Sequence, residues 1–485
     1  MRWCLKIWVL FIILCAVSCT HDNQRLEAAL SLAGENRAEL EKVLRHYEDD
    51  TLKYRAARFL IENMPYHTYY DGKELEKFRK YFTCFTHTRK TSSELIDSLK
   101  KADGEFFMGS LQRRRDVEVI DSAYLVKNID HAYRVWKAQP WGRNVSFQDF
   151  CEYILPYRVG DEVPEEWRER IYERYNPKLD SIRGMPQAAD PLFAARVLLD
   201  TLIKERIYFT SSFPTGPHIG PKVVEWRSGS CKELADLFIY VCRSVGIACG
   251  TDVMVMRGDN NAPHFWNFVL DQEGKTYEVE YPNPPLRPAA ELWNPKGKVY
   301  RETYSLNTSM MEDLDKPSDE VYPTFRYPLF KDVTPEYAGR WNRTLTLPKE
   351  VLYSEKTTSD IVYLCLSCRD SWIPVAYTHM ESDSIRFHDV EGDIIFRLAF
   401  WDGQGLELCS DPILLEKTSG NLRYFNPGNK QDTVALYFKY HLYNETFIFR
   451  MPGGVFEASN DVGFRHTDTL FLVKDVPERC IIRCG

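Results

Sequence analysis

The sequence predicts an α+β protein, and three observations along its 485 residues predict this class. Apolar residues recur every three or four positions through much of the first 180 residues, as between residues 40 and 47, which is the spacing of amphipathic helices. Between residues 230 and 281 one helical pattern is followed by alternating strands. From Arg340 the apolar period changes to two, as in residues 344–347, which is typical of short strands in a β-sandwich.

The helix predicted to start at Cys231 carries the first candidate functional group. Ser230 and Glu233 have the spacing of a capping box, and the helical apolar pattern that follows stops at Gly246. A thiol in the first turn feels the positive end of the helix dipole, which favours thiolate and lowers the thiol pKa. The backbone N–H groups there could also hold a developing oxyanion. Gly229 is expected to let a substrate backbone approach closely.

Two predicted strands follow and carry an imidazole and a carboxylate. Residues 264–270 alternate, turn through 271–274, and return as residues 275–281. If the hairpin loop is 271–273, with Gly274 in the left-handed conformation, His264 lies directly opposite Glu280. Cys231, His264 and Glu280 would then form an ordered set in which the imidazole takes the thiol proton and the carboxylate orients the imidazole.

Two other residues compete for roles near this site. His218 lies in a loop rich in proline and glycine, residues 214–221, that must pass near the start of the Cys231 helix. Because the sequence shows no aligned acid behind His218, we favour His264 as the base. Trp226 is a candidate oxyanion donor through its indole N–H, although a simply packed tryptophan is the more common arrangement.

These motifs resemble the transglutaminase-like superfamily of papain-type cysteine enzymes. The similarity covers roughly residues 190 to 285: Arg-x-Gly-x-Cys-x-Glu from Arg227, the helix exit at residues 243–247, His264-x-Trp266, and an acid sixteen residues after the histidine. The resemblance implies a papain-like core and acyl transfer through a thioester. The family usually has Asp where this chain has Glu280.

The N-terminus predicts export and lipid anchoring. Residues 1–18 combine Arg2 and Lys6 with an apolar run from 7 to 17 that is too short to span a bilayer. The ending Ala16-Val17-Ser18-Cys19 resembles the lipobox of bacterial lipoproteins, which implies lipidation at Cys19 and a cell-envelope location, either periplasmic or at the outer membrane or surface. The alternative is a secretory signal cleaved nearby, with Cys19 left as a free thiol.

The remaining chain is divided by its patterns into four regions. We predict a helical domain at 19–189, a transglutaminase-like domain at 190–318, a β-sandwich domain at 319–418, and a further β-rich segment at 419–485. In the last segment, residues 452–460 faintly resemble the opening of discoidin-type carbohydrate-binding sandwiches, with too few residues left for a complete domain. Cys365 and Cys368 lie in a predicted strand, where positions three apart face opposite sides and cannot easily hold one ion.

The sequence therefore favours a lipid-anchored envelope enzyme that hydrolyses an amide or peptide bond. Its expected partners are a peptide, protein or glycan-linked substrate and the membrane that holds its lipid, with no cofactor and no metal. The net charge of −8 argues against a nucleic-acid partner. The alternative is a noncatalytic lipoprotein that retains the fold and binds a glycan or peptide.

Overall fold

The structure, a computed structural model, describes most of the chain. The described residues are 24–259, 261–280, 286–291, 295–310, 313, 316, 320–353, 360–369, 371–381, 383–425, 433–436, 455–458, 467–472 and 480–483. The predicted signal peptide at 1–18 and the lipidation site at Cys19 lie outside these residues. Among the described helices, none is both long and apolar enough to cross a bilayer.

The chain divides into two compact units. The first takes its described residues from Met1–Val253, His264–Leu292 and Tyr300–Tyr337, and the second from Met254–Pro263, Trp293–Val299 and Ala338–Gly485. Regions predicted as a helical domain and a transglutaminase-like domain therefore contribute to one unit. The predicted domain boundaries themselves stay a prediction.

The first unit contains the described α-helices. These are α1 (described from 24 to 32), α2 (Arg37–His46), α3 (Thr51–Asn63), α4 (Glu74–Phe85), α5 (Ser92–Asp103), α6 (Ser122–Ala138), α7 (Phe147–Tyr153), α8 (Arg168–Tyr175), α9 (Pro191–Lys204), α10 (Val223–Trp226), α11 (Cys231–Ser244) and α12 (Thr334–Ala338, which ends in the second unit). The predicted start of α9 is confirmed, because the Asp190 side chain accepts from the Leu192 N–H at 2.9 Å. This helix ends at Lys204 rather than near Tyr208 as expected.

A six-stranded sheet packs beside α11. The strands of the first unit are β1 (Thr68–Asp71), β2 (Gln112–Arg115), β3 (Tyr208–Phe209), β4 (Ser228–Gly229), β5 (Cys249–Met254), β6 (His264–Leu270), β7 (Thr276–Val279), β8 (Arg287–Pro288), β9 (Tyr300–Glu302) and β10 (Phe330–Asp332). The sheet has the order β10-β9-β5-β6-β7-β8, while β1 pairs with β2 and β3 runs parallel to β4. The start of α11 and the start of β6 are thus brought to the same end of the unit.

The C-terminal end of α11 is buried, so its last carbonyl groups need partners inside the protein. Side chains from the predicted helical domain supply them: Arg168 Nη1 donates to Arg243 O at 3.3 Å, His131 Nε2 to Ser244 O at 2.9 Å, and Trp141 Nε1 to Val245 O at 2.9 Å. Apolar packing joins the same parts, since Phe78, Phe82 and Trp167 share one core cluster with Leu237 and Val241 of α11. The helices before residue 190 therefore hold α11 in place.

The second unit consists mainly of strands. They are β11 (Arg343–Pro348), β12 (Ile361–Cys368), β13 (Ser371–His379), β14 (Ser384–Val390), β15 (Ile394–Trp401), β16 (Leu406–Leu408), β17 (Ile413–Leu415), β18 (Leu422–Tyr424), β19 (Thr433–Leu436), β20 (Val455–Ala458), β21 (Asp468–Leu472) and β22 (Cys480–Arg483). The sheet β13-β12-β15-β17-β18, with β16 paired to β15, shares a core with the separate β11-β14 pair.

The change to a period of two correctly predicts strands β11, β12, β14 and β15. Cys365 and Cys368 both lie on β12, as expected. The sandwich arrangement stays a prediction. The discoidin-like resemblance also stays untested, because only the pairs β19-β22 and β20-β21 are described there, and most of residues 452–460 lie outside the described residues.

Candidate active site

The start of α11 is fixed by the predicted capping box. Glu233 Oε2 accepts from the Ser230 backbone N–H at 2.8 Å and from its hydroxyl at 2.7 Å, while Ser230 Oγ accepts from the Lys232 N–H at 3.4 Å. Cys231 is the first helical residue and is half-buried. The local sequence therefore places the thiol at the helix start, with part of its surface accessible.

Gly229 has a different role from the one expected. Its φ is +146°, and a Cβ added there would lie 2.4 Å from the Glu233 Cβ. The space beside Gly229 is thus filled by the capping side chain, and not left for a substrate backbone. The glycine allows the capping box to close over the strand that precedes Cys231.

Asn267 positions the strand that carries His264. Its buried side-chain amide donates to Ala235 O of α11 at 3.0 Å and to Gly250 O of β5 at 3.2 Å, and so fixes β6 against the helix. The Cys231 thiol lies close enough to the His264 side chain and to the Phe265 backbone N–H for both to lower the thiol pKa. The thiol and the imidazole are therefore brought into contact.

Glu280 reaches His264 from a diagonal position. The distance from His264 Nε2 to Glu280 Oε1 is 3.0 Å. The pairing of β6 with β7 sets Asn267 opposite Val279, so the expectation that His264 lies directly opposite Glu280 is wrong. Asp271 and Lys275 close the hairpin, with Gly274 at φ +78° in the expected left-handed conformation, and the register is shifted by two residues from the expected one. The longer glutamate side chain makes up the distance.

Charge and hydrogen bonding favour an ion pair between the thiol and the imidazole. Burial by itself raises the pKa of Cys231, but the hydrogen bond from His264 and the Phe265 N–H outweigh it, and the thiol pKa falls below its ordinary value. Burial lowers the pKa of His264, whereas its contacts with Cys231 and Glu280 raise that pKa to about 9.

Behind the His264 ring lies a series of buried side chains that are linked by hydrogen bonds. The imidazole stacks on the Trp266 ring with 5.5 Å between centroids, and Trp266 Nε1 donates to Tyr337 Oη at 2.8 Å. Tyr337 in turn donates to Asp252, which forms a two-bond ion pair with Arg301 at 2.8 Å for each bond. Each side chain in this series has a hydrogen-bond or ion-pair partner, so the Trp266 ring on which the imidazole stacks is held in place.

Comparison with known protein families finds one match, which covers part of the first unit. Residues 183–280 match the model of the transglutaminase-like superfamily. The chain contains a transglutaminase-like domain. The matched segment includes Cys231, His264 and Glu280, and it ends at the last of them. No curated protein and no solved structure matches the chain significantly.

His218 of the transglutaminase-like domain does have an acid behind it, contrary to expectation. Its Nδ1 lies 2.8 Å from Asp236 Oδ2 on α11, and both side chains are largely buried. Burial lowers the pKa of His218, but the Asp236 carboxylate outweighs this effect and raises the pKa to about 10. The His218 ring also packs against Gly160, where an added Cβ would lie 2.4 Å from Nε2.

This pair was missed because its partners are eighteen residues apart and meet only when the loop folds onto the helix. An aspartate at position 236, inside the otherwise apolar run of residues 234–239, was the available signal. Lys232 completes the attachment by donating to Gly216 O of the same loop at 2.7 Å. The loop therefore lies against the first turns of α11.

Trp226 is half-buried and packs against the core cluster that contains α11. Its ring stacks on Phe82 with 6.2 Å between centroids, at the end of α10. No group of three or more His, Cys, Asp or Glu residues that could hold a metal ion occurs in the part of the chain that the structure describes.

Proposed function

We propose that the chain is a lipid-anchored envelope hydrolase in which Cys231, His264 and Glu280 cleave an amide or peptide bond through a thioester. The observation that carries the proposal is the continuous contact from the half-buried thiol to the imidazole and on to the carboxylate. The directions of the two pKa shifts support a thiolate and imidazolium at neutral pH.

In the proposed first step the Cys231 thiolate attacks the substrate carbonyl carbon, and a carbon–sulfur bond forms. The carbon–nitrogen bond then breaks as His264 gives its proton to the leaving amine. Water attacks the thioester, the imidazole accepts a proton from it, and the acid product leaves with the thiolate restored. Glu280 keeps the imidazole oriented throughout.

The oxyanion of this reaction needs donors near the thiol. The capping box occupies the N–H groups of Ser230 and Lys232, which leaves the N–H of Cys231 as the helix-start donor that we assign. The Trp226 indole N–H is the second donor in the proposal. Its stacking on Phe82 supports a fixed orientation of the ring.

Hydrolysis is preferred over transfer to an amine because the sequence shows no second binding site for an acceptor. The proposed location at the cell envelope, through a lipid on Cys19, rests on the leader sequence. The substrate is a peptide, a protein or a glycan-linked amide.

A second function is a noncatalytic one, in which the cleft binds a glycan or peptide. Two features favour it: Glu280 stands where the family usually has Asp, and its side chain is 46% exposed. An exposed carboxylate is screened by water and holds an imidazole less firmly than a buried one.

Intact-protein mass spectrometry with synthetic peptides that carry side-chain and backbone amides separates the two functions. We expect a thioester adduct on wild-type protein, and carboxylic-acid products that carry one ¹⁸O atom when the reaction runs in H₂¹⁸O. Cys231→Ala should give neither, while Cys368→Ala, which removes another half-buried thiol, should give both. Equal turnover by Cys231→Ala and wild type would contradict the proposed hydrolase.

A further inference from the structure

A groove of about 320 Å³ in the first unit is lined by arginine and tyrosine side chains. Its lining includes Tyr66, Thr68, Arg113, Arg115, Arg326 and Tyr327, and none of the described residues that line it is acidic. The whole chain carries a net charge of −8, so a groove with three arginines differs from the rest of the molecule. Complementary charge points to an anionic ligand.

The strand geometry explains why two of these arginines face the groove. Strand β2 pairs with β1 so that Arg113 lies opposite Tyr70 and Arg115 opposite Thr68. Alternate residues of a strand share a face, which places Arg113 and Arg115 on one side and Arg114 on the other. Arg114 is not part of the groove lining and lies 3.7 Å from Asp71.

The uncharged side chain of Tyr70 holds Arg113 in position. Its guanidinium lies 5.1 Å from the centroid of the Tyr70 ring, and its Nε donates to Tyr70 Oη at 3.1 Å. Within the described ranges of the chain, no carboxylate lies within ion-pair distance of Arg113. Its terminal amines are therefore oriented and available for the two-pronged contact that guanidinium groups make with carboxylates.

Tyrosines and prolines supply the other half of the recognition surface. Tyr327 is 38% exposed as a whole residue, and Pro65 and Pro328 also line the groove. Flat apolar faces beside the oriented Arg113 guanidinium suit a ligand made of rings that carry carboxylates. The volume lies at the small end of ligand pockets, which are about 300–1,000 Å³, and so suits two sugar rings better than a folded partner.

We propose that this groove binds an acidic carbohydrate, with the ring faces on the tyrosines and the carboxylates on Arg113 and on Arg115, where the ligand replaces the 3.5 Å ion pair that Arg115 makes with Glu118. This site is separate from Cys231 and does not depend on the hydrolase proposal. It gives the molecule a way to hold a uronic-acid glycan whether or not its thiol reacts.

Calorimetric titration of the full chain with digalacturonic acid tests the site. We expect saturable binding that weakens as salt is added. Arg113→Gln and Arg115→Gln should each weaken binding by about tenfold, which corresponds to about 1.4 kcal/mol. Arg114→Gln, on the other face of the same strand, should change the affinity less than twofold, and Cys231→Ala should bind as wild type does. Thermal unfolding of each variant confirms that it is folded.

Four outcomes would overturn the proposal. The first is no saturable binding of digalacturonic acid, and the second is equal binding of lactose, which lacks carboxylates. The third is equal binding of tetraglutamate, which would assign the groove to acidic peptides. The fourth is equal loss in the Arg114→Gln variant, which would mean that binding depends on overall charge.

Discussion

At the scale of single residues, the length of the Glu280 side chain sets its contact with His264. The strand register gives Glu280 a diagonal position, and the carboxylate still comes within 3.0 Å of Nε2. An aspartate on the same backbone would be one methylene shorter. The residue that departs from the usual family pattern is therefore suited to the register of this hairpin.

Glu280→Asp tests this reach, and Glu280→Gln tests the charge. We expect each change to lower amide turnover by on the order of 10²-fold, because the first loses the contact and the second loses the charge that keeps His264 protonated. Steady-state kinetics on one peptide substrate measure both losses. Full activity in Glu280→Asp would show that the glutamate length is unimportant.

Gly229 should tolerate substitution less well than the hairpin glycine. Both have positive φ, but a Cβ at Gly229 also meets the Glu233 side chain, whereas a Cβ at Gly274 meets nothing within 4 Å. We expect Gly274→Ala to lower the free energy of unfolding by roughly 1–2 kcal/mol from backbone strain, and Gly229→Ala to lower it further. Urea unfolding of the two variants measures the difference, and equal losses would contradict the crowding at Gly229.

At the scale of elements, the sequence correctly predicted the features that depend on residues close together in the chain. The capping box at Ser230 and the apolar period correctly predict both ends of α11, because caps and amphipathic spacing depend on neighbours in the chain. The predicted pairing of β6 with β7 was wrong, because the sequence is compatible with a hairpin loop at 271–273 and also with one at 272–274. The His218–Asp236 pair was missed because it depends on tertiary packing.

The His218–Asp236 pair should make stability depend on pH in a defined direction. The folded pKa of His218 is raised to about 10, above the ordinary value of about 6.5. Its contribution is therefore fully present below pH 6.5 and is lost as the pH rises through about 10. We expect His218→Gln to cost more unfolding free energy at pH 6 than at pH 10.

Urea unfolding at these two pH values measures the effect. His46→Gln is the matched control for the loss of a histidine, because His46 is exposed on α2. A His218→Gln cost that is the same at both pH values would mean that the imidazole is not charged when buried against Asp236.

At the scale of the whole molecule, the transglutaminase-like segment depends on the helices that precede it. Arg168, His131 and Trp141 satisfy the last carbonyls of α11, and Phe78 shares its core cluster. Residues 183–280 alone would expose these groups. We expect this fragment to lack a cooperative thermal transition, whereas the full chain should show one.

Circular dichroism of the purified fragment and the full chain measures this difference. A cooperative transition in the 183–280 fragment would contradict the shared core. The sequence correctly predicted helices before strands because periodicity is local, but it gave no sign that the early helices cap α11. Such contacts join residues about 75 to 113 positions apart and leave no pattern in a single sequence.

If His264 holds Cys231 as a reactive thiolate, the rate of Cys231 alkylation should depend on pH in a defined way. The rate of iodoacetamide addition to Cys231 and, as an internal control, to Cys368 can be followed by peptide mass spectrometry from pH 4 to pH 10. An ordinary thiol has a pKa of about 8.5. We predict that Cys231 reacts well below that range in the wild type, and that His264→Ala moves its titration upward to the ordinary range. A wild-type Cys231 that titrates like an ordinary thiol, with no change in His264→Ala, would contradict the claim.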